Sequence, residues 1–366
     1  MMNKAAGDAI VSKYSRKAIT IATIGSHSAL DVCRGAKDEG LQTVVVCQKG
    51  REQTYTKHYK VVVDHPLLVD KFSDVASPTV VAQLQKLNAV FIPNRSFEVY
   101  VGDYSRIEAM EIPFFGSRRL LRFEERNESP NQYTLMEKAG IRFPKRFASS
   151  DVIDRLVIVK AAESERNFQR EFFFASSPVD FERKARQLID RGLVHGKQLD
   201  SAVIEEFVIG AHINFNFFYS PLRRRLELMG TDFRRQTNLD GLLRIPAKEQ
   251  SEFTVNPSLK EAGHVAATVL ESMLEKAFGL GEAFVDACQP YGGIVGPFAL
   301  QSIITPGPPK EDIVVYDVSL RIPGSPGTMF TPYSYYLHGK PLSVGRRIAM
   351  EVREAAETGQ LEKVVT

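Results

Sequence analysis

Ala18-Ile19-Thr20-Ile21-Ala22-Thr23-Ile24-Gly25-Ser26-His27-Ser28 is the stretch from which the fold is read. Its first seven residues are apolar or β-branched and predict a buried strand. Gly25 to Ser28 is a tight turn. Ala29 to Glu39 then reads as a helix, with Ser28 as its N-cap and Gly40 as its stop. Thr43 to Cys47 is the next strand. Strand, helix and strand at these lengths form a βαβ unit, and such a unit requires a parallel sheet.

The pattern continues outward. Val61-Val62-Val63 and Val90 to Pro93 predict two more strands, with a helix over Pro78 to Leu87, and Pro113 to Gly116 closes the unit. The charged, turn-prone segment Glu124 to Asn131 marks a boundary, so residues 1–130 are expected as one α/β domain and 131–366 as a second. The second opens with a helix, Gln132 to Ala139. Strands at Leu156 to Lys160, Arg170 to Ala175 and Ala202 to Val208, with a helix at Asp180 to Arg191, predict a small α+β subdomain over about 143–210. Ile213 to Phe218 and Arg225 to Gly230 read as antiparallel strands. A long helix is expected from Leu259 to Gly279 and a last one from Ser343 to Thr358.

Two further stretches read as buried strands, Gly296 to Gln301 and Val314 to Arg321. Alternation places Asp317, Ser319 and Arg321 on one face and Tyr316, Val318 and Leu320 on the other. Polar groups buried without partners are costly, and a bound metal-phosphate would supply partners. The facing strand offers Gln301 where such a site normally has a carboxylate.

Composition excludes several classes. With 43% hydrophobic and 25% charged residues the chain is an ordinary globular protein. A net charge of +3 does not call for nucleic acid; it suits a small anion. No apolar run reaches the ~18 residues of a membrane span. Three cysteines without metal-ligand spacing suggest reduced thiols and a cytoplasmic protein. The turn at Gly25 to Ser28 lacks the glycines of a dinucleotide fingerprint, which argues against a nicotinamide enzyme. A helix start after a strand does favour an anion, and His27 and Ser28 add donors; an ordinary capped turn is the plain alternative. Arg95 and Ser96 follow a parallel strand, where open α/β sheets bind ligands, or they form a solvent loop. Lys160 at a strand end and the strand through Glu205, Glu206, Phe207 and Val208 suggest a nucleotide slot between two small sheets, although Ala161 to Asn167 has no glycine. The polar run Thr231 to Gly241 is either a binding loop or an exposed hairpin.

Ile24 to Leu30, Phe217 to Leu222, Gly241 to Gln250, Gly296-Pro297-Phe298 and Ser334 to Ala349 together resemble the archaeal formate-dependent AICAR ligases, the FAICAR synthetases of the ATP-grasp superfamily, over nearly the whole chain. The resemblance implies a parallel-sheet pre-ATP-grasp domain followed by an ATP-grasp domain of two α+β subdomains. It implies ATP and Mg²⁺ or Mn²⁺, the AICAR ribotide and formate as substrates, formyl phosphate as the activated acid, a place in IMP biosynthesis, and a tendency to assemble into homo-oligomers. Carried over by position, His27, Ser96 and His264 fall to the ribotide, and His264 stands where the family usually has Asn. Lys160, Glu205 to Val208 and Gln236 fall to the nucleotide, with Gln236 in place of Glu. Gln301 and Asp317 fall to the metal, where the family usually has Glu at the first. Ala161 to Gln169 replaces the family's glycine-rich loop, and Ile322 to Met329 replaces a second. These departures leave two other readings: a weakly catalytic or non-catalytic paralogue that binds a ribotide or nucleotide, and a ligase for another acid or amine.

Overall fold

The computed structural model describes residues 10–126, 128–160, 172–192, 194, 196, 199, 202–250, 261–307 and 310–366. The N-terminal elements are β1 (Thr20–Ile24), α1 (Ala29–Asp38), β2 (Gln42–Gln48), β3 (His65–Val69), α2 (Pro78–Lys86), β4 (Ala89–Phe91) and α3 (Arg95–Val101). Their strands form a parallel sheet in the order β3-β2-β1-β4. Every residue of β1 is buried, as an inner parallel strand covered on both faces requires. The expected strand at Val61 to Val63 is instead a helical turn, Lys60–Val62, and the sheet edge is built by β3. Val62 and Val63 bury against Cys33, Cys47 and Tyr55 without joining the ladder. Pro66 is tolerated in β3 because an edge strand leaves one row of N–H positions unused.

After α4 (Gln132–Lys138) come β5 (Arg146–Phe147), β6 (Val157–Lys160), β7 (Phe172–Ala175), α5 (Pro178–Asp190) and β8 (Val203–Glu206). These strands form a small sheet in the order β5-β8-β6-β7, antiparallel at each pairing. The segment Ala161 to Gln169 lies outside the described residues.

A five-stranded antiparallel sheet follows, built from β9 (Ala211–Ser220), β10 (Arg225–Gln236), β11 (Glu261–Ala267), β12 (Gly296–Thr305) and β13 (Asp312–Ser319), in the order β11-β10-β9-β12-β13. One face carries Phe215, Phe217, Leu228, Phe298 and Val315, packed against α6 (Leu274–Cys288). Phe217, Phe298 and Phe284 stack, with ring centroids 5.4 and 5.7 Å apart.

The long helix expected from Leu259 to Gly279 is a correction. Residues 261–267 are β11, and the helix runs over Leu274–Cys288. The alanines there favour helix by propensity, but the ladder offered by Thr231 to Gln236 overrides it. Gly279 does not end the helix either. The helix continues through Gly281, where a Cβ would stand 2.7 Å from Leu226 and 3.2 Å from Phe217, so close packing keeps a glycine inside it.

The C-terminal helix α7 (Val344–Glu357) returns to the N-terminal sheet. Its Ile348, Val352 and Ala355 share a core with Ile19, Ile21, Val32 and Ala36. Gly35 and Gly345 let α1 and α7 touch backbone to backbone: a Cβ on either would meet the backbone of the other helix within 2.4 Å. Arg347 is fully buried on α7. It donates to Glu227 at 2.7 Å and to Glu351 at 2.8 Å, and lies 4.3 Å over the Phe218 ring, which fixes α7 on the large sheet. Among the described residues no helix is long and apolar enough to cross a membrane.

Candidate functional site

The face of the large sheet opposite the phenylalanines is polar. Asp232 on β10 pairs in register with Asn214 on β9, Asn214 with Gln301 on β12, and Gln301 with Asp317 on β13. Directly opposed residues share a face, so these four side chains make one row across four strands. Asp232 is buried and accepts from Asn216 through Oδ1 at 2.6 Å and from Asn214 through Oδ2 at 3.1 Å, the oxygen that also meets His264 Nδ1.

Gln301 is 3% exposed. Its Nε2 donates to Ser319 Oγ at 3.0 Å, and its Oε1 is buried with no hydrogen-bond partner. Across the strand, the Asp317 carboxylate is part-exposed and lies 3.4 Å from Arg126. A bulge opposite Gln301 and Ser302 makes Tyr316 the extra residue. Simple alternation therefore fails at this point. Tyr316 joins Val208, Ile303 and Val314 on the Asp317 side, while Val318 and Leu320 go to the core. On the expected shared face of Asp317, Ser319 and Arg321 the protein itself supplies partners: Arg126 for Asp317 and the Gln301 amide for Ser319. Arg321 lies 3.5 Å from Glu98 and 3.4 Å from Glu124. Burial and the neighbouring Glu124 push the Glu98 carboxyl up.

Whether this row suits a divalent ion follows from its donors. Among the described residues no three His, Cys, Asp or Glu side chains form a metal cage. Mg²⁺ commonly uses one or two protein oxygens together with phosphates and water. An unpartnered amide oxygen beside a carboxylate fits that mode and does not fit a protein-only cage.

The small sheet brings the expected nucleotide residues together. Lys160 Nζ donates to Glu205 Oε2 at 2.6 Å, and the Tyr133 hydroxyl donates to Glu205 Oε1 at 2.6 Å. Burial disfavours the Glu205 charge, but Lys160 and Arg126 outweigh it and hold that carboxyl below its ordinary value. For Lys160 burial prevails, and its pKa is lowered. The N–H groups of Glu206 and Phe207 are taken by Lys145 and Leu156 oxygens, and Phe207 packs edge-on against Phe174. Val208 is buried under the β12–β13 edge. Gln236 ends β10 opposite Glu261, beside the His264 group, and the chain turns there into the short helix Thr237–Leu242 before returning as β11.

His27 and Ser96 lie at the carboxyl ends of the neighbouring parallel strands β1 and β4. Ser96 Oγ donates to Ser26 Oγ at 2.9 Å, and Asn94, the N-cap of α3, donates to the Ser26 carbonyl at 3.1 Å. Ser28 makes no side-chain cap on α1. Its hydroxyl is 2.9 Å from His27 Nδ1 instead, with His27 at φ 55°. Gly324 closes over the ring: a Cβ there would stand 2.6 Å from His27 Nε2.

His27 also feels Arg321, Glu261, His264 and Arg95, so the ends of the parallel sheet face the polar sheet. Burial, reinforced by Arg321, lowers the His27 pKa to about 3. For His264, burial is opposed and exceeded by Asp232 and Glu261, the latter at 2.7 Å from Nε2, and its pKa rises to about 9. Two histidines facing one space are thus held neutral and protonated respectively. Sequence reasoning included Asp232 only within the polar run Thr231 to Gly241, and missed Asn214, Asn216 and Arg126. Asn214 and Asn216 alternate with Ile213, Phe215 and Phe217 on β9, and that alternation was the available signal. Arg126 sits in the boundary segment and had none.

Comparison with known proteins finds relatives over nearly the whole chain. Residues 21–147 match the family model described as "Protein of unknown function (DUF1246)", and residues 180–366 match "Domain of unknown function (DUF1297)". The 5-formaminoimidazole-4-carboxamide-1-(beta)-D-ribofuranosyl 5'-monophosphate synthetase of Methanopyrus kandleri is 40% identical over 361 residues, 98% of each chain. That of Methanocaldococcus jannaschii is 38% identical over 361 residues, again 98% of each. The crystal structure of an IMP biosynthesis protein PurP from Thermococcus kodakaraensis superposes with a TM-score of 0.71 at 28% identity, covering 94% of this chain and all of that one. A biotin carboxylase–β,γ-ATP complex from Campylobacter jejuni, 13% identical with a TM-score of 0.59 over 91% of this chain and 70% of its own, shares the ATP-grasp fold.

Proposed function

The chain belongs to the FAICAR synthetase family of ATP-grasp ligases, and from that membership we propose that it joins formate to the 5-amino group of the AICAR ribotide, using ATP, in IMP biosynthesis. The observation that carries the site assignment is the row Asp232–Asn214–Gln301–Asp317, with an unpartnered amide oxygen at its centre. It lies with the Lys160–Glu205 pair on one side and the His27, Ser96 and His264 group on the other.

In this reading Gln301 Oε1 and the Asp317 carboxylate hold Mg²⁺ or Mn²⁺, and Lys160 meets phosphate as a point charge. Bound metal-ATP supplies the phosphoryl group that activates formate and offsets the charge that develops during its transfer. Ser96 and the neutral His27 take the ribotide from the parallel-sheet side. Protonated His264, fixed by Asp232, offers positive charge from the other side. The strand from Glu205 to Val208 and the Gln236 end of β10 border the nucleotide. Residues 1–130 and 131–366 serve as the two domains, with the small sheet as a lid over about 143–210. Exposed Phe330, Tyr335 and Tyr336 favour self-association.

The test is direct. Purified protein is incubated with ATP, MgCl₂, formate and AICAR ribotide while ADP and FAICAR are followed. Equal amounts of both products are expected. ADP formation only with another acid would replace formate in the assignment, and ribotide binding without any turnover would overturn the ligase reading.

A further inference from the structure

Arg126 sits between the two charged groups that the site assignment keeps separate. Its Nη2 is 3.4 Å from Asp317 Oδ1 and donates to the Tyr316 carbonyl at 3.2 Å, and its Nη1 is 3.7 Å from Glu205 Oε2. The backbone at Arg126 is pinned. Asn131, the N-cap of α4, donates its side-chain amide to the Arg126 carbonyl at 3.0 Å.

The side chain is held less tightly than its neighbours. Glu205 already has two shorter partners, Lys160 and Tyr133, each at 2.6 Å, and does not depend on the guanidinium. Asp317 has no shorter partner among the described contacts. A guanidinium carries five donors in a rigid fork, and here the contacts to both carboxylates are long. Both Arg126 and Asp317 keep about a quarter of their side-chain surface exposed, 24% and 27%, so a ligand can reach either one.

We propose that Arg126 couples metal binding to nucleotide binding by exchanging partners between Asp317 and the nucleotide phosphates. Next to Asp317, the guanidinium competes with a free divalent cation for the same carboxylate. Polyphosphate is the stronger partner for arginine, because it accepts two parallel hydrogen bonds and carries more charge. Once phosphate takes the guanidinium, Asp317 is released to the metal. The metal therefore binds with the nucleotide rather than ahead of it, and the coupling acts equally in both directions. This inference rests on Asp317 being the metal carboxylate.

The experiment measures binding without turnover. Mn²⁺ binding from MnCl₂ alone is followed by electron paramagnetic resonance, and ATP binding in EDTA by calorimetry, for the wild type, Arg126→Gln and Arg126→Met. Gln keeps a donor for the Tyr316 carbonyl, and circular dichroism confirms that each variant is folded. Removing the competing cation is expected to tighten Mn²⁺ by about tenfold, the scale on which a close opposite charge shifts an ionisation. ATP in EDTA is expected to weaken by a similar factor. Unchanged or weaker Mn²⁺ binding in a folded variant overturns the proposal. Asp317→Asn placed on the Arg126→Gln background separates the two ideas. If it abolishes Mn²⁺ binding while Arg126→Gln alone had no effect, the coupling fails and the metal site stands. If Mn²⁺ binding survives it, the metal assignment itself fails.

Discussion

Replacing Gln301 by Glu tests the centre of the polar row. The substitution keeps the shape and turns the amide into a carboxylate directly opposite Asp317. Opposed residues on neighbouring strands lie about 5 Å apart. Two carboxylates at that distance repel by about 3 kcal/mol at an effective dielectric constant of 20. The Ser319 hydroxyl, which now accepts from Gln301, can rotate and donate to the new carboxylate, so that hydrogen bond is not lost. The cost is capped by protonation: 3 kcal/mol corresponds to a rise of about two pKa units for the new carboxyl. In EDTA, urea denaturation should therefore show the variant destabilised by about 2–3 kcal/mol. With MgCl₂ and a non-hydrolysable ATP analogue, a bridging cation turns the repulsion into two attractions. The stability gap should close or reverse, and metal-nucleotide affinity should rise at least ~10-fold, because charged oxygens are the better ligands for a hard cation. An equal gap with and without metal-nucleotide would refute the argument, since Gln301 would then not face the metal.

Three further outcomes are expected. His264 has a folded pKa raised from 6.5 to about 9, so its stabilising contribution is complete below about pH 6.5 and is lost as pH rises through 9. Allowing for partial solvation that contribution is about 1–2 kcal/mol, and the stability difference between wild type and His264→Gln measured from pH 6 to 10 should shrink to nothing across that window. Arg347→Met removes the buried cation that Glu227 and Glu351 share, leaving Glu351 with neutral donors such as the Ser220 hydroxyl while Glu227 keeps Arg225 and His338, and chemical denaturation should show a loss of about 3–5 kcal/mol; a loss below 1 kcal/mol would mean the network is not needed to seat α7. Gly324→Ala would drive a methyl group against His27 Nε2, so calorimetry should show weakened ribotide binding with nucleotide binding unchanged.

Continuous apolar and β-branched runs made the parallel sheet and most strands legible in the chain alone. β1, β2 and β4 are found where the pattern puts them, because a strand buried on both faces needs an unbroken apolar run. Lys160, Glu205, Gln301 and Asp317 were also legible, since a polar residue at the end of or inside such a run needs a reason. The errors have a common cause. Val61 to Val63 has strand-forming residues, but Val62 and Val63 meet a side cluster instead of a ladder, and His264 lies in helix-forming sequence that a neighbouring strand captured. Partners distant in sequence decided both.

The sequence by itself determined the class of fold, the family, and the types of residue available to phosphate, ribotide and metal, because these depend on local periodicity and on motifs in order along the chain. Tertiary structure alone decided which residues meet. It aligned Asp232, Asn214, Gln301 and Asp317 through strand register, shifted Tyr316 by a bulge, and brought His27 under Gly324 and into the field of His264. It also set the charge states. Burial beside Arg321 keeps His27 neutral, and two carboxylates keep His264 protonated, although the two side chains are chemically identical. A side chain's ionisation depends on its neighbours and its access to water, and neither is written in local sequence.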